Sequence, residues 1–247
     1  MKMIFGLVAL FLIGSPAMAD EINVQQAFSG SMSNVTHIWG QRNVSTVSAD
    51  MGVRIQYPKG SINPGNSPPY PLGGAGFELH FLQGAMSGTL TYKIKFEPGF
   101  MFNKGGKLPG LFGGSNPRGC IQGAADGFSA RLMWRTGGAG ELYLYAPGRD
   151  TACGQSIGRG NWTFVQGNWY TVTERITMNV PGSSNGIIQV LINGMQVVDA
   201  GNLVLRNKAA TLIDGLLFST FFGGSDSTWA APKDQWTEFQ AFSIQLY

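Results

Sequence analysis

Beyond an apolar opening segment, hydrophobic and polar residues alternate in short runs broken by glycine- and proline-bearing turns. Period two sends successive side chains to opposite faces of a strand, and it dominates this chain. In Leu90–Glu97, Leu90, Tyr92, Ile94 and Phe96 share one face, while Thr91, Lys93, Lys95 and Glu97 share the other. Such a strand buries one face and wets the other. Similar alternation marks Phe128–Arg135, Glu141–Ala146, Tyr170–Met178, Ile187–Asn193, Gly215–Phe222 and Glu238–Tyr247. No capped amphipathic stretch of helical length follows the opening segment. Regular short strands without intervening helices predict an all-β sandwich or jelly roll. Ser61–Pro71 holds four prolines and reads as a surface loop, because proline cannot donate to a central ladder.

The opening segment bears on where the protein works. One positive charge at Lys2, an apolar run from Ile4 to Ile13 and the small-residue exit Ala17-Met18-Ala19 have the order of a secretory signal peptide. This predicts a signal over 1–19 cleaved near Ala19, a single mature domain over 20–247, and a secreted or periplasmic destination. The apolar run is shorter than the roughly twenty residues a membrane helix needs, so no membrane association is expected. Seventeen basic and fourteen acidic residues leave a net charge of +3. An excess this small suits an anionic ligand only where the charges converge. No basic run marks a nucleic-acid patch.

Cys120 and Cys153 are the only cysteines. In an exported chain the pair reads as a disulfide, stabilising by about 3–4 kcal/mol through chain entropy before strain. Only His37 and His80 could join them and metal-ligand spacing is absent, so no metal or other cofactor is expected. Asn34, Asn43 and Asn161 open glycosylation sequons, a pattern too short to carry weight, and are read as unmodified.

Candidate chemistry concentrates between Asn103 and Pro147. Lys104-Gly-Gly-Lys-Leu-Pro-Gly-Leu111 reads as a glycine-dense loop carrying two lysines. It lacks the order of a phosphate-binding loop and no helix follows, so a nucleotide site is not indicated. Taken alone, an ordinary loop with solvated lysines accounts for it. In the next strand Phe128, Ala130, Leu132 and Trp134 form an apolar face, leaving Ser129, Arg131, Met133 and Arg135 opposite. In Glu141–Ala146 the apolar face is Leu142, Leu144 and Ala146, with Glu141, Tyr143 and Tyr145 opposite. A glycine-rich turn at Gly137–Gly140 joins the two as an antiparallel hairpin. If both apolar faces enter one core, period two gathers Ser129, Arg131, Arg135, Tyr143 and Tyr145 on one outer surface. Arginine matches a carboxylate bidentately and tyrosine combines ring area with a hydroxyl, so this face fits a groove for an anionic sugar. An exposed face of packed Arg and Tyr is the plain alternative.

Cleaving a polyuronate by β-elimination removes the proton from the carbon next to a carboxylate, and negative charge builds on the carboxyl oxygens. Cations must neutralise that charge, a base must take the proton, and an acid must protonate the departing glycosidic oxygen. A lysine or arginine beside a tyrosine is expected to favour its phenolate and lower its pKa. Two tyrosines and a Lys–Arg cluster supply every role without a metal. Hydrolysis would use paired carboxylates, yet Glu78, Glu97, Glu141, Glu174 and Glu238 show no Glu-x-Asp or Glu-x-x-x-Glu spacing. No Gly-x-Ser-x-Gly elbow offers a serine nucleophile, and His80 reads as structural. Three readings stay open: a polyuronate lyase, a non-catalytic carbohydrate-binding module and a hydrolase. Tyr143 and Tyr145 beside Lys107 and Arg131 favour the lyase, because a binding module has no need of proton-transfer groups.

Four ordered motifs carry a resemblance: Lys104-Gly-Gly-Lys-Leu-Pro-Gly-Leu111, Ser129-x-Arg131, Glu141-Leu-Tyr-Leu-Tyr145 and Phe218-Ser-Thr-Phe-Phe-Gly-Gly224. Together, over roughly Ser87–Tyr247, they resemble polysaccharide lyase family fourteen and are similar to the glucuronan lyases of family twenty. The resemblance implies a concanavalin-like β-jelly roll of two antiparallel sheets with a cleft on one sheet. It places the functional set on Lys107, Ser129, Arg131, Tyr143 and Tyr145. Lys107 and Arg131 then neutralise the carboxylate, Tyr143 and Tyr145 abstract and donate protons, and Ser129 positions. Lys104, Arg135 and Glu141 are candidate substrate-binding residues. Trp229, Lys233 and Trp236, after the last motif, are read as sugar platforms or loop anchors. The implied activity is metal-independent β-elimination of an acidic polysaccharide by a monomer, with mannuronate-containing alginate as substrate and glucuronan as the alternative. A Cys120–Cys153 bridge would hold a wall of the cleft.

Overall fold

The computed structural model describes residues 19–47, 50–120, 126–148 and 153–247. The signal-peptide reading lies outside them except at Ala19. Among the described residues no helix is long and apolar enough to cross a membrane.

In chain order the strands are β1 (Asp20–Ile22), β2 (Val35–Trp39), β3 (Val44–Thr46), β4 (Val53–Tyr57), β5 (Ala75–Ala85), β6 (Ser87–Phe96), β7 (Gly105–Gly114) and β8 (Gly127–Arg135). They continue with β9 (Gly140–Tyr145), β10 (Gln155–Ile157), β11 (Trp169–Thr177), β12 (Gly186–Ile192), β13 (Met195–Leu203), β14 (Ile213–Phe222) and β15 (Gln235–Leu246). A back sheet runs β13-β12-β11-β6-β15-β4-β3, with β1 also paired to β15; a front sheet runs β10-β9-β8-β7-β14-β5-β2. Neighbours in both are antiparallel. This is the jelly-roll sandwich that the alternation predicts, and each strand read from period two recurs within a few residues of its expected ends.

The inward faces of the two sheets make one core. Leu90, Tyr92, Ile94 and Phe96 of β6 meet Phe128, Leu132 and Trp134 of β8 and Phe218 and Phe222 of β14, all essentially inaccessible to water. Burying each such side chain stabilises by about 1.5–3 kcal/mol. The rings adopt edge and offset contacts: Phe96 lies 5.5 Å from Trp134, and Phe77 stacks on Phe218 at 5.1 Å.

Two local expectations are corrected. A six-residue helix, α1, spans Val24–Ser29, capped by the Asn23 side chain accepting from the Gln26 N–H and ended at Gly30 with φ 75°. It is too short for helical periodicity to register, and it exists because Val24, Ala27 and Phe28 plug the core beneath β5. Lys104–Leu111, expected as a loop, lies mostly within β7, a central strand. Its glycines fit a strand because neighbours leave no room for a side chain. A Cβ on Gly106 would lie 2.1 Å from the Trp134 ring, and one on Gly110 would lie 2.0 Å from the Ala130 carbonyl oxygen.

Candidate active site

Position on the sandwich follows from register. Ser129 pairs with Tyr145, Arg131 with Tyr143 and Met133 with Glu141 across β8 and β9, so their side chains leave the outer face of the front sheet together. On β7, Lys107 pairs with Met133 but Gly110 pairs with Arg131, so β7 carries one residue more than β8 between these points. This bulge shifts the phase of alternation. Leu108 and Leu111 both enter the core, while Lys107 faces outward and Phe112 packs its edge on His80 at 5.4 Å.

The result is a cleft of about 700 Å³. Lys107, Arg131, Met133, Arg135, Tyr143, Tyr145, Ser219 and Phe221 form its floor; Arg118–Cys120, Cys153, Gly223–Ser225, Trp39 and Trp229 form its walls. Among the described residues no Asp or Glu lines it, and no group of three or more His, Cys, Asp or Glu is placed to hold a metal ion. Trp39, Arg118 and Ser219 also line an adjoining cavity of about 390 Å³ that reaches Glu78 and His37.

Lys107 Nζ lies 2.7 Å from Met133 Sδ and 3.6 Å from the Tyr143 ring centroid. Burial, reinforced by the Arg131 and Arg135 guanidinium groups, holds its amine well below the ordinary lysine range against a small opposing pull from Glu141. Arg131 is buried, and its charge lies 5.9 Å from the Tyr145 ring. Burial, with Arg118 adding, lowers its pKa to about 10, against opposing pulls from Tyr145 and Tyr143. Among the described residues its Nε–H has no hydrogen-bond partner. A buried guanidinium left open in this way is a cost to the fold and a ready site for a carboxylate.

The tyrosines meet edge to face at 5.5 Å. The expectation that nearby cations lower the tyrosine pKa fails at Tyr143. Burial, then the charge and hydrogen bonding of Tyr145, push it up to about 12, outweighing Arg135 and the Gly154 N–H. Tyr143 is therefore a proton holder.

Other predicted residues fall in different places. Ser129 shares the outer face but does not line the cleft: it is fully buried, and its hydroxyl donates to the Pro117 carbonyl at 2.6 Å, pinning the wall that carries Arg118. Glu141 is likewise inaccessible, so it cannot touch substrate directly. Its two oxygens accept from Arg135 at 2.7 Å and from Ser156 and Arg159 at 2.5 Å. Burial alone would raise this carboxyl, but those hydrogen bonds outweigh it and hold it below the usual carboxylate range. Arg135 lines the cleft with its charge thus committed. Lys104 lies outside the lining, its Nζ donating to Thr228 Oγ1 and sitting 5.7 Å from the Trp229 ring. Trp229 is a wall residue, whereas Trp236 belongs to β15 on the back sheet, 4.0 Å beneath the Arg54 guanidinium, and Lys233 pairs with Glu97.

Cys120 and Cys153 are bonded. The Cys120 N–H donates to the Tyr145 hydroxyl at 3.4 Å, so the bridged wall touches the tyrosine pair. Several lining residues, Met133, Arg118 and Trp39 among them, were not singled out from sequence. Met133 stood on the predicted polar face, an apolar residue between two arginines, and that mismatch was a usable signal. Arg118, ion-paired to Glu78 at 2.5 Å, and Trp39, on a bulged edge strand, lie where no periodicity operates.

A family model described as polysaccharide lyase 14 matches residues 46–242. The crystal structure of the marine PL-14 alginate lyase from Aplysia kurodai is similar at 36% identity, covering 88% of this chain and 92% of that one, with a TM-score of 0.76. The alginate lyase vAL-1 from Chlorella virus superposes with a TM-score of 0.79 at 20% identity over 92% of this chain and 99% of that one. An endo-β-1,4-glucuronan lyase from Trichoderma reesei is more distant, with a TM-score of 0.57 and 10% identity over 87% and 92%; these last two likenesses show the fold alone. A search of curated protein sequences finds no match. With the family match spanning most of the sandwich and the four motifs converging on one cleft, the chain belongs to the polysaccharide lyase 14 family and is a lyase.

Proposed function

We propose that the protein cleaves alginate, in its mannuronate-containing stretches, by β-elimination without a metal. The observation that carries this reading is the pair of basic side chains on the cleft floor, half-buried Lys107 and buried Arg131: Arg131 keeps an Nε–H without a partner among the described residues, and Lys107 is held below its ordinary range. A non-catalytic binding module has no use for a lysine whose charged form is disfavoured, and a retaining or inverting hydrolase requires carboxylates that the described lining lacks. The alginate lyase from Aplysia kurodai, at 36% identity, supports alginate as the polymer.

In this reading Arg131 binds the uronate carboxylate and neutralises the charge that grows on it. The Lys107 amine, whose charged form is disfavoured, takes in its neutral form the proton from the carbon bearing that carboxylate. The electron pair released forms a carbon–carbon double bond as the neighbouring glycosidic C–O bond breaks. Tyr143, which holds its proton, supplies it to the departing oxygen. This moves proton abstraction from the tyrosines, where sequence placed it, to Lys107. The reversed ionisation tendencies of the two groups support the change. Tyr145 orients Tyr143, and the positive cleft needs no added cation to balance the reacting charge. The order of charge and apolar residues over 1–19 supports export, with 20–247 acting as a monomeric domain.

The test is ultraviolet absorbance of the conjugated unsaturated uronate, followed on incubation with polymannuronate, polyguluronate, mixed alginate and glucuronan. A rise on mannuronate-containing alginate that is absent in Lys107→Ala and Tyr143→Phe is the expected result. New reducing ends without absorbance would mean hydrolysis. Binding without either signal would mean a binding module, and a rise confined to glucuronan would reassign the substrate.

A further inference from the structure

The bulge that sets Lys107 leaves two backbone polar groups turned inward, and both are met from the opposite sheet. The Leu111 N–H donates to Glu174 Oε2 at 2.9 Å, and the Pro109 carbonyl accepts from the Tyr92 hydroxyl at 3.2 Å. Glu174, on β11, and Tyr92, on β6, are fully buried, and Tyr92 is fixed by stacking on Phe242 at 4.9 Å. Glu174 is an odd choice for a core. Among the described residues its second oxygen has no hydrogen-bond partner, and burial drives its carboxyl well above the usual range despite the Leu111 N–H. An apolar residue of similar size would suit stability better. On the front side, Gly110 closes the bulge onto β8, where a Cβ would strike the Ala130 carbonyl. The bulge beside Lys107 is thus held between a β8 contact in front and two side chains from the back sheet behind.

We propose that Glu174 and Tyr92 are positioning residues for Lys107: by anchoring the Leu111 N–H and the Pro109 carbonyl from behind, they set the bulge that fixes where the Lys107 amine stands in the cleft. The inference rests on the reading of Lys107 as the base only for its kinetic consequence; the placement itself is a property of the free protein. Without the two anchors the bulge relaxes, Lys107 moves toward water, and its amine regains more ordinary lysine behaviour.

The experiment compares Glu174→Leu, Glu174→Gln and Tyr92→Phe with the wild-type chain. Isotope-labelled lysine lets nuclear magnetic resonance follow the titration of Lys107, with its signal identified by its loss in Lys107→Met. The expected result is a Lys107 titration displaced upward in Glu174→Leu and Tyr92→Phe. Their kcat on alginate should fall at least about tenfold with KM within about threefold, as for loss of an interaction used in the transition state. Glu174→Gln keeps an oxygen for the Leu111 N–H and should restore both readouts. An unchanged Lys107 titration in folded Glu174→Leu overturns the proposal; if that variant does not fold, the same result in Tyr92→Phe overturns it. The resonance readout needs no substrate. A wild-type chain that cleaves no polyuronate therefore removes the lyase reading while this inference still stands or falls on the titration.

Discussion

Lys107 Nζ lies 3.6 Å from the centroid of the Tyr143 ring, bringing an amine whose charged form is disfavoured against a phenol whose pKa is pushed up to about 12. The two come from β7 and β9, separated by β8, and Met133 of β8 fills the space beside them. Side chains on three neighbouring strands thus set the amine and the phenol side by side.

The first prediction concerns Lys107. Its pKa is lowered in the folded protein, so the amine is neutral above that lowered value and protonated below it. Activity should therefore fall on the acid side as the amine gains a proton. Lys107→Arg keeps a basic side chain but holds its proton at every accessible pH, and kcat should fall by about 10²–10⁴. The same shift has a stability consequence. The unfolded chain binds this proton more tightly than the folded one, so the penalty is full below the lowered pKa and fades as pH rises into the ordinary lysine range. Lys107→Met should raise Tm near neutrality while abolishing turnover. Thermal melts and steady-state absorbance check both, and an active Lys107→Arg would remove Lys107 from the role of base.

Tyr143 makes the complementary case. With its pKa pushed up to about 12, it stays protonated across the pH range in which the lyase would be assayed. Tyr143→Phe removes the donor and little volume, so kcat should drop by about 10²–10⁴. The acid-side fall in rate, assigned to Lys107, should persist in whatever activity remains. Loss of that limb in Tyr143→Phe would show that the tyrosine, not the lysine, titrates there.

Legibility in the sequence divided along physical lines. The Phe128–Ala146 hairpin was readable because one face is wholly apolar, and a one-residue slip would expose Phe128 and Trp134. That alone gathered Arg131, Arg135, Tyr143 and Tyr145. Lys107 could be placed only by resemblance, because Gly105, Gly106, Pro109 and Gly110 have the composition of a loop. They form a strand for a tertiary reason, the close approach of Trp134 and the Ala130 carbonyl, which no local pattern carries. The direction of the pKa shift was misread at Tyr143 for a similar reason. Neighbouring cations are visible in the alternation, but burial is not, and here burial dominates. Glu141 shows the same limit: its alternation with Tyr143 predicted an outward carboxylate, and Arg135, Ser156 and Arg159 close over it.

That closed carboxylate gives the third prediction. Glu141 is fully buried between Arg135 and Arg159, and removing one partner of a buried pair leaves the other uncompensated, at about 3–5 kcal/mol. Glu141→Gln should destabilise on this scale, whereas Arg159→Ala, at a half-exposed partner, should cost less than about 1 kcal/mol. The folded carboxyl is held below its usual range, so its contribution is present above the unfolded carboxylate value of about 4.3 and is lost as pH falls through the lowered pKa. Denaturant titrations at neutral and acid pH should therefore show the gap between wild type and Glu141→Gln closing in acid. A gap of unchanged size would mean that the carboxylate charge contributes nothing.

The Cys120–Cys153 bridge links stability to the same tyrosines. It joins the Arg118–Cys120 wall to the segment whose Gly154 N–H reaches Tyr143, while the Cys120 N–H reaches Tyr145. Opening it frees both walls at once. Closing a loop of this size stabilises by about 3–4 kcal/mol in the chain-entropy picture, so reductant, or Cys120→Ser with Cys153→Ser, should lower Tm by several degrees. The activity should respond more sharply than the fold does. The tyrosine hydroxyls lose two backbone donors while the front-sheet ladder beneath them stays paired, and kcat should fall in protein that is still folded at the assay temperature. Rate and circular dichroism followed together through a reductant titration separate these effects. If the two decline only in parallel, the bridge serves the fold as a whole; if two free thiols are counted in the untreated protein under denaturing conditions, the link to the tyrosines is lost altogether.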